Sequence, residues 1–281
     1  MAIELAKFFK TEIISADSRQ CFKELNIGVA RPSNEQLNDI THHFIATHSI
    51  HEAVTAAVFE KYALQKAKEL FSAHDKVIMA GGTGLYIKAF CEGFDEIPEI
   101  EPGIRNSIVT NYNNGGIEWL KEQVEKTDPV FFAKGEIQNP QRMMRALEVK
   151  MSTGHSILSF QSGRKKKREF NIIKIGIELP KEELHRNINS RVDKMVENGL
   201  VDEVKAMQPY KDHNALQTVG YSEVFEYLDG KISLQEAVEL IKKNTRQYAK
   251  RQMTWFRRDK EIKWFHPEAQ DETIRYLNST L

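Results

Sequence analysis

Apolar and polar positions along the chain fall into short β-rich runs separated by stretches with helical spacing. Glu12–Ala16 (EIISA) and Lys76–Ala80 (KVIMA) are compact apolar runs, the pattern of buried parallel strands, and Asn171–Leu179 (NIIKIGIEL) reads as a third. Between the first two, Val54, Val58, Tyr62 and Ala63 recur at helical spacing and predict a helix over His51–Phe71. Strands alternating with helices imply an α/β layer fold on a parallel sheet. The chain opens on Ala2–Phe9, where Ile3, Leu5, Ala6 and Phe9 mark a helix running straight into the first strand, so a βαβ unit read this way has lost its first β.

From Cys91 to about Phe170 the pattern changes. An acidic, proline-bearing stretch (EGFDEIPEIEPG, 92–103) leads into helical segments at Ile104–Tyr112, Ile117–Lys126 and Arg142–Met151, with no strand evident. The run Gly163, Arg164, Lys165, Lys166, Lys167 and Arg168 closes the region. The expected organisation is a helical insertion over 95–168 within a core made of 1–94 and 169–281. After the third strand the chain is again helical and reaches a long basic helix over Leu234–Arg258, without internal repeats.

Charge and cysteine usage narrow the classes of function. Lysine plus arginine equals aspartate plus glutamate at 40 each, so no whole-molecule field attracts a polyanion and any nucleic-acid site must be a local patch. Cys21 and Cys91 are too few and too far apart for a disulfide framework or a cysteine-based zinc site, and they read as small buried hydrophobes in a reducing compartment. The first ten residues hold no uninterrupted apolar run, and nothing later approaches a membrane span. The expectation is a soluble cytoplasmic monomer with no membrane partner.

In an open parallel sheet ligands bind beyond the carboxyl ends of the strands. The first predicted strand runs into Asp17, Ser18, Arg19 and Gln20, which place a carboxylate and a hydroxyl at its tip, although the same residues also suit a helix cap and turn. The second runs into Gly81, Gly82, Thr83, Gly84, Leu85 and Tyr86, where glycines permit close backbone approach and a helix start offers free amides to an anion; a plain structural turn is the competing reading. No G-x-x-x-x-G-K-[ST] phosphate loop occurs, and Lys88 lies too far along to stand in for its lysine. His42, His43, His48 and His51 cluster, but without cysteines or an acidic pair they read as structural or substrate-facing rather than as a metal site.

Two basic clusters could grip phosphates. On the terminal helix Arg246, Lys250 and Arg257 share one face and Gln247, Arg251, Thr254 and Arg258 the next, where a merely solvated face is the alternative. In the insertion Gln141, Arg142 and Arg145 open a helix with both arginines pointing the same way. Insertion and terminal helix together are expected to form two jaws on one RNA.

Six co-linear strings, AIELAK, ISADSRQ with NIGVARP, GGTGLYIKAF, NPQRMMRALEV, the VGY at Val219–Tyr221, and TRQYAKRQMTWFR, together resemble the tRNA dimethylallyltransferases over nearly the whole chain. The resemblance implies a P-loop NTPase-like parallel-sheet core with a helical insertion domain that contacts the anticodon stem-loop of tRNA. It implies transfer of a dimethylallyl group from dimethylallyl diphosphate, with Mg2+, to the exocyclic amine of the adenosine 3′ of the anticodon, flipped out of its stack. By the same resemblance Asp17, Thr83 and Arg191 are catalytic, Asp17 taking the amine proton and Arg191 holding the diphosphate. Asp17, Ser18, Arg19, Gln20 and Thr83 line the path of the base. Further RNA contacts fall on Arg105, on Gln141, Arg142, Met143, Met144 and Arg145, on Gln217, Thr218, Val219, Gly220, Tyr221 and Ser222, and on Lys250, Arg251, Gln252, Met253, Thr254, Trp255, Phe256 and Arg257.

The sequence departs from the family pattern at four places. Met1 stands where the phosphate loop should end, so the first strand, the phosphate-binding lysine and the magnesium-binding hydroxyl are absent, and the chain as written is expected to bind the prenyl donor poorly. Val29 replaces a threonine, Thr47 an aspartate and Ser222 a basic residue. Two other classes stay open: a non-catalytic protein that binds the tRNA anticodon loop, and a P-loop small-molecule kinase.

Overall fold

The computed structural model describes residues 1–280 apart from Glu96, Glu99 and Ser162, so two acidic positions of the 92–103 stretch lie outside the described residues. The chain begins with α1 (Ala2–Phe9), β1 (Ile13–Ser15), α2 (Asn34–Asp39), β2 (His42–His43), α3 (Ala56–Phe71), β3 (Ile78–Ala80) and α4 (Gly84–Glu92). It continues through α5 (Pro102–Thr127), α6 (Pro129–Lys134) and α7 (Pro140–Thr153) to β4 (Ile175–Ile177). Then follow α8 (Lys181–Glu197), α9 (Leu200–Ala206), α10 (Tyr221–Leu228), α11 (Leu234–Phe256), β5 (Lys263–Phe265) and α12 (Gln270–Thr280). Two compact units result, one of Met1–Glu92 with Arg168–Leu281 and one of Gly93–Lys167.

In the first unit β1 lies between β2 and β3, all parallel, with Ile13 opposite both His42 and Ile78. Ile13, Ile14 and Ser15 are all buried, which explains a strand without alternation. The third predicted strand does form, over Ile175–Ile177, but it pairs with β5 in a separate two-stranded parallel sheet instead of joining β1 and β3. Lys174 clamps that pairing, its ammonium 2.7 Å from both Asp259 and Glu261. Helix α3 starts five residues later than its periodicity suggests, because the Thr55 hydroxyl accepts from the Val58 amide and caps it there. Under the sheet Phe44, Phe59, Tyr62 and Tyr86 form an aromatic cluster, with Phe59 and Tyr86 stacked at 4.4 Å.

The second unit is helical. Its longest helix, α5, breaks at Gly116, whose φ of 65° is open to glycine, so the two predicted segments around 104–112 and 117–126 are the halves of one interrupted helix. Its core gathers Ile108, Leu120, Val124, Phe131, Met143, Met144, Ala146 and Leu147. Among the described residues no helix is long and apolar enough to cross a membrane.

Candidate active site

The tips of β1 and β3 are stitched together. The Thr83 amide donates to the Ala16 carbonyl at 3.1 Å, the Thr83 hydroxyl oxygen accepts from the Ser18 amide at 3.0 Å, and that hydroxyl donates to the Ser18 hydroxyl at 3.3 Å. Asp17 therefore projects from a fixed base. Its Oδ1 accepts from the amides of Arg19 (2.8 Å) and Gln20 (3.2 Å), the turn anticipated from an Asp at a strand end. Among the described residues no protein donor reaches Oδ2, so one carboxylate oxygen is locked and the other remains able to accept.

The charge of Asp17 is felt by several neighbouring side chains. Burial lowers the Arg191 guanidinium below its ordinary value while the charge of Asp17 holds it up; burial also lowers Arg19, opposed first by Tyr86 and Cys21 and then by Asp17. The Tyr248 hydroxyl is raised, first by burial and then by Asp17. Arg191 and Tyr248 are nonetheless exposed at the surface, Tyr248 by 43%. Among the described residues Arg191 makes no hydrogen bond or ion pair, which leaves a guanidinium with all its donors free near a carboxylate. Tyr248 had no sequence signal beyond being an aromatic residue within a basic helix.

The glycine turn is closed over by α11. The Gln252 amide donates to the Gly82 carbonyl at 2.9 Å, and the Trp255 indole lies against Gly84 so closely that a Cβ would strike it. A Cβ on Gly81 would meet the Ala16 backbone. These glycines admit a strand and a helix to close approach. Lys88 is exposed on α4. Of the remaining terminal residues Lys250, Arg251 and Thr254 are exposed, Thr254 bonds back to the Lys250 carbonyl, Met253 and Phe256 are half-buried, and Arg257 pairs with Glu178.

Around the Asp17 turn a second layer holds the backbone. The Gln20 side chain donates to the carbonyls of Val29 (3.2 Å) and Ala30 (2.9 Å), and Arg19 donates to the Asn214 carbonyl at 2.8 Å. Glu203, on α9, accepts from three successive amides, Asn26 (3.2 Å), Ile27 (2.8 Å) and Gly28 (2.9 Å), and from the Tyr221 hydroxyl at 2.5 Å. Burial, then Glu203, raises the Tyr221 hydroxyl far above its ordinary value. Tyr221 is fully buried, Gly220 is buried and Val219 is half-buried against the core; Gln217 is exposed, and Thr218 and Ser222 are half-buried. Glu203 gave no sequence signal, because its three amide partners lie more than 170 positions earlier in the chain.

In the helical unit Gln141, Arg142 and Arg105 are exposed, whereas Met143 and Met144 face inward, at 0% and 5% exposure. The expectation of RNA contact for those two methionines meets this obstacle: they belong to the apolar stripe of α7 that builds the unit's core. Arg142 pairs with Glu136 at 2.6 Å. Arg105 and Arg145 both reach Glu148, at 3.4 and 3.1 Å.

Each histidine of the cluster has its own neighbour: His42 the Ile40 carbonyl, His43 Glu12 at 2.5 Å, His48 the Thr47 hydroxyl, and His51 the His213 ring at 3.1 Å. No group of three or more His, Cys, Asp or Glu able to hold a metal occurs among the described residues.

Comparison with known proteins gives a concordant result. The IPP transferase family model matches residues 20–259. A tRNA dimethylallyltransferase of Christiangramia forsetii is 46% identical over all of this chain and 93% of its own length, and one of Flavobacterium johnsoniae is 47% identical with the same coverage. Among solved structures, a tRNA isopentenylpyrophosphate transferase from Bacillus halodurans superposes with a TM-score of 0.70 at 32% identity, over 99% of this chain and 89% of that one.

Proposed function

The chain belongs to the IPP transferase family, whose relatives are prenyl-transferring enzymes, and from that membership we propose its substrates and the roles of its residues. The reaction is transfer of a dimethylallyl group from dimethylallyl diphosphate to the exocyclic amine of the adenosine 3′ of the anticodon in tRNA, by a cytoplasmic monomer. The observation that carries this reading is Asp17, a carboxylate with one oxygen fixed by turn amides and the other open, whose charge is felt by the Arg191 guanidinium, a group without a hydrogen-bond partner among the described residues.

The amine of adenine is a weak nucleophile because its lone pair is shared with the ring. As the N–C bond to the allylic carbon forms, the C–O bond to the diphosphate breaks and its electron pair leaves with the anion. The Asp17 Oδ2 accepts the amine proton in the same step. Negative charge gathers on the departing diphosphate, and Arg191, with its donors free, meets that charge as it develops. Thr83 acts as a positioning residue that keeps the two strand tips in register through Ser18.

The donor set tests the place of Mg2+. Magnesium is held by one or two carboxylates together with substrate phosphates and waters. Among the described residues no group of three or more His, Cys, Asp or Glu stands together, and one oxygen of Asp17 is taken by amides. Magnesium is therefore held chiefly by the donor's diphosphate, with the free Asp17 oxygen as its protein ligand, and no step above depends on it.

Ser18, Arg19 and Gln20 line the approach of the base. Gln217, Lys250, Arg251, Thr254 and, in the helical unit, Arg105, Gln141, Arg142 and Arg145 contact RNA, while Met143, Met144, Val219, Gly220 and Tyr221 support the surfaces that do. Asp17→Ala tests the reading. A labelled-donor transfer assay on an anticodon stem-loop is expected to lose about 10²–10⁴-fold in rate, with RNA affinity retained. Unchanged transfer by the variant rules the mechanism out.

A further inference from the structure

Glu148 is a charged residue where α7 otherwise presents apolar side chains: its side chain is 2% exposed, and Met144, Leu147 and Val149 around it are buried in the same unit. A carboxylate removed from water needs compensating donors, and here two guanidinium groups supply them. Arg105 comes from α5, with Nη1 3.4 Å from Oε1, and Arg145 comes from one turn earlier on α7, with Nη1 3.1 Å from Oε2. Both arginines remain exposed at their outer side, 59% and 40%. Two cations that repel each other are thus drawn to one buried anion, while their remaining N–H groups point to solvent.

We propose that Glu148 is a positioning residue that sets Arg105 and Arg145 side by side as one phosphate-binding fork, and that the ligand is a backbone phosphate of the RNA substrate. The assignment rests on the RNA-modifying function proposed above. A phosphodiester has acceptor oxygens on both sides and suits two planar guanidinium forks better than one. Free arginine side chains would lose rotamer freedom on binding; these two are already held. Arg142 differs, because its partner Glu136 is itself half exposed and the pair lies at the surface, where such pairs organise little.

The test turns on a sign. Removing a negative charge near RNA should tighten binding by simple electrostatics, whereas removing an organiser should weaken it. Anticodon stem-loop affinity is measured across a salt series for the full chain and for Glu148→Gln, with Glu136→Gln as the surface comparison. Roughly tenfold weaker binding by Glu148→Gln, with the magnitude of the log–log salt slope reduced by about 1, is expected, and no weakening by Glu136→Gln. Equal or tighter binding by Glu148→Gln, or equal weakening by Glu136→Gln, overturns the proposal. Should Glu148→Gln not fold, the paired surface change Arg105→Lys with Arg145→Lys decides: it keeps the charge and removes the forks, so unchanged affinity refutes the assignment and a several-fold loss supports it. If the unaltered chain binds no stem-loop, the RNA reading falls and this fork falls with it; if it binds and the variants match it, only the fork is lost.

Discussion

Gly81 and Gly82 are neighbours in one turn yet differ in what a methyl group would meet. At Gly81 the obstacle is the backbone of Ala16, part of a buried strand end that cannot yield; at Gly82 it is the Gln252 side-chain amide, which can swing aside. Overpacking of this kind costs about 1–3 kcal/mol, so Gly81→Ala should lower the melting temperature clearly more than Gly82→Ala, and thermal unfolding showing the opposite order would contradict the account. The turn itself was legible in the sequence, as was Asp17 at a strand tip, because both depend on neighbours a few positions away. What closes over the turn was not legible, since Gln252 and Trp255 lie some 170 positions later. Resemblance drew attention to Tyr221, Met143 and Met144 but could not tell an inward side chain from an outward one. Cys21 shows the converse: read as a small hydrophobe, it is fully buried, and burial with Asp17 nearby pushes its thiol up to about 12, so it stays protonated in neutral solution.

Helix α11 is capped at one end and carries its cover of the glycine turn and its proposed RNA contacts at the other. Its start is fixed by a capping box in which the Ser233 hydroxyl accepts from the Glu236 amide and the Glu236 carboxylate accepts from the Ser233 amide. The residues that cover the glycine turn are near the other end, roughly 28 Å away at about 1.5 Å per residue. Ser233→Ala should therefore cost about 1 kcal/mol of stability in denaturant titration while stem-loop affinity stays unchanged; a matching loss of affinity would show the two ends to be coupled. The long helix was evident from its periodicity, as was the division of α5 into segments either side of residues 113–116. Strand β2 is two histidines and β5 lies among the charged residues Asp259, Lys260, Glu261 and Lys263, so neither stands in an apolar run like those that mark β1 and β3. The start of α3 was misplaced because the apolar pattern extends past Thr55, whereas the cap decides where the helix begins.

At the scale of the molecule, the alternation of strand and helix was enough to give the α/β class, while strand partnership was beyond it: nothing local to Ile175–Ile177 says that Lys263–Phe265 rather than Ile78–Ala80 lies alongside. The return from the helical unit to the core passes through exposed residues 163–167, with no helix or strand among those described, before Arg168 anchors the chain to Glu60 and to the carbonyls of Ala89 and Phe90 at 2.7 Å each. Trypsin should cut first after Arg164, Lys165, Lys166 or Lys167 and spare Arg168, as mass spectrometry of early digests will show; a first cut inside α11 would place the weak point elsewhere. With 40 positive and 40 negative side chains, the protein has no general attraction for anions, and selectivity must come from individual positions. Arg191 is such a position, wetted and without an ion pair among the described residues. On the role proposed for Arg191, dissolved sulfate or phosphate would compete there with the departing diphosphate, so the choice of buffer salt becomes a chemical variable for this protein, and a background that is inert in one assay would inhibit in another.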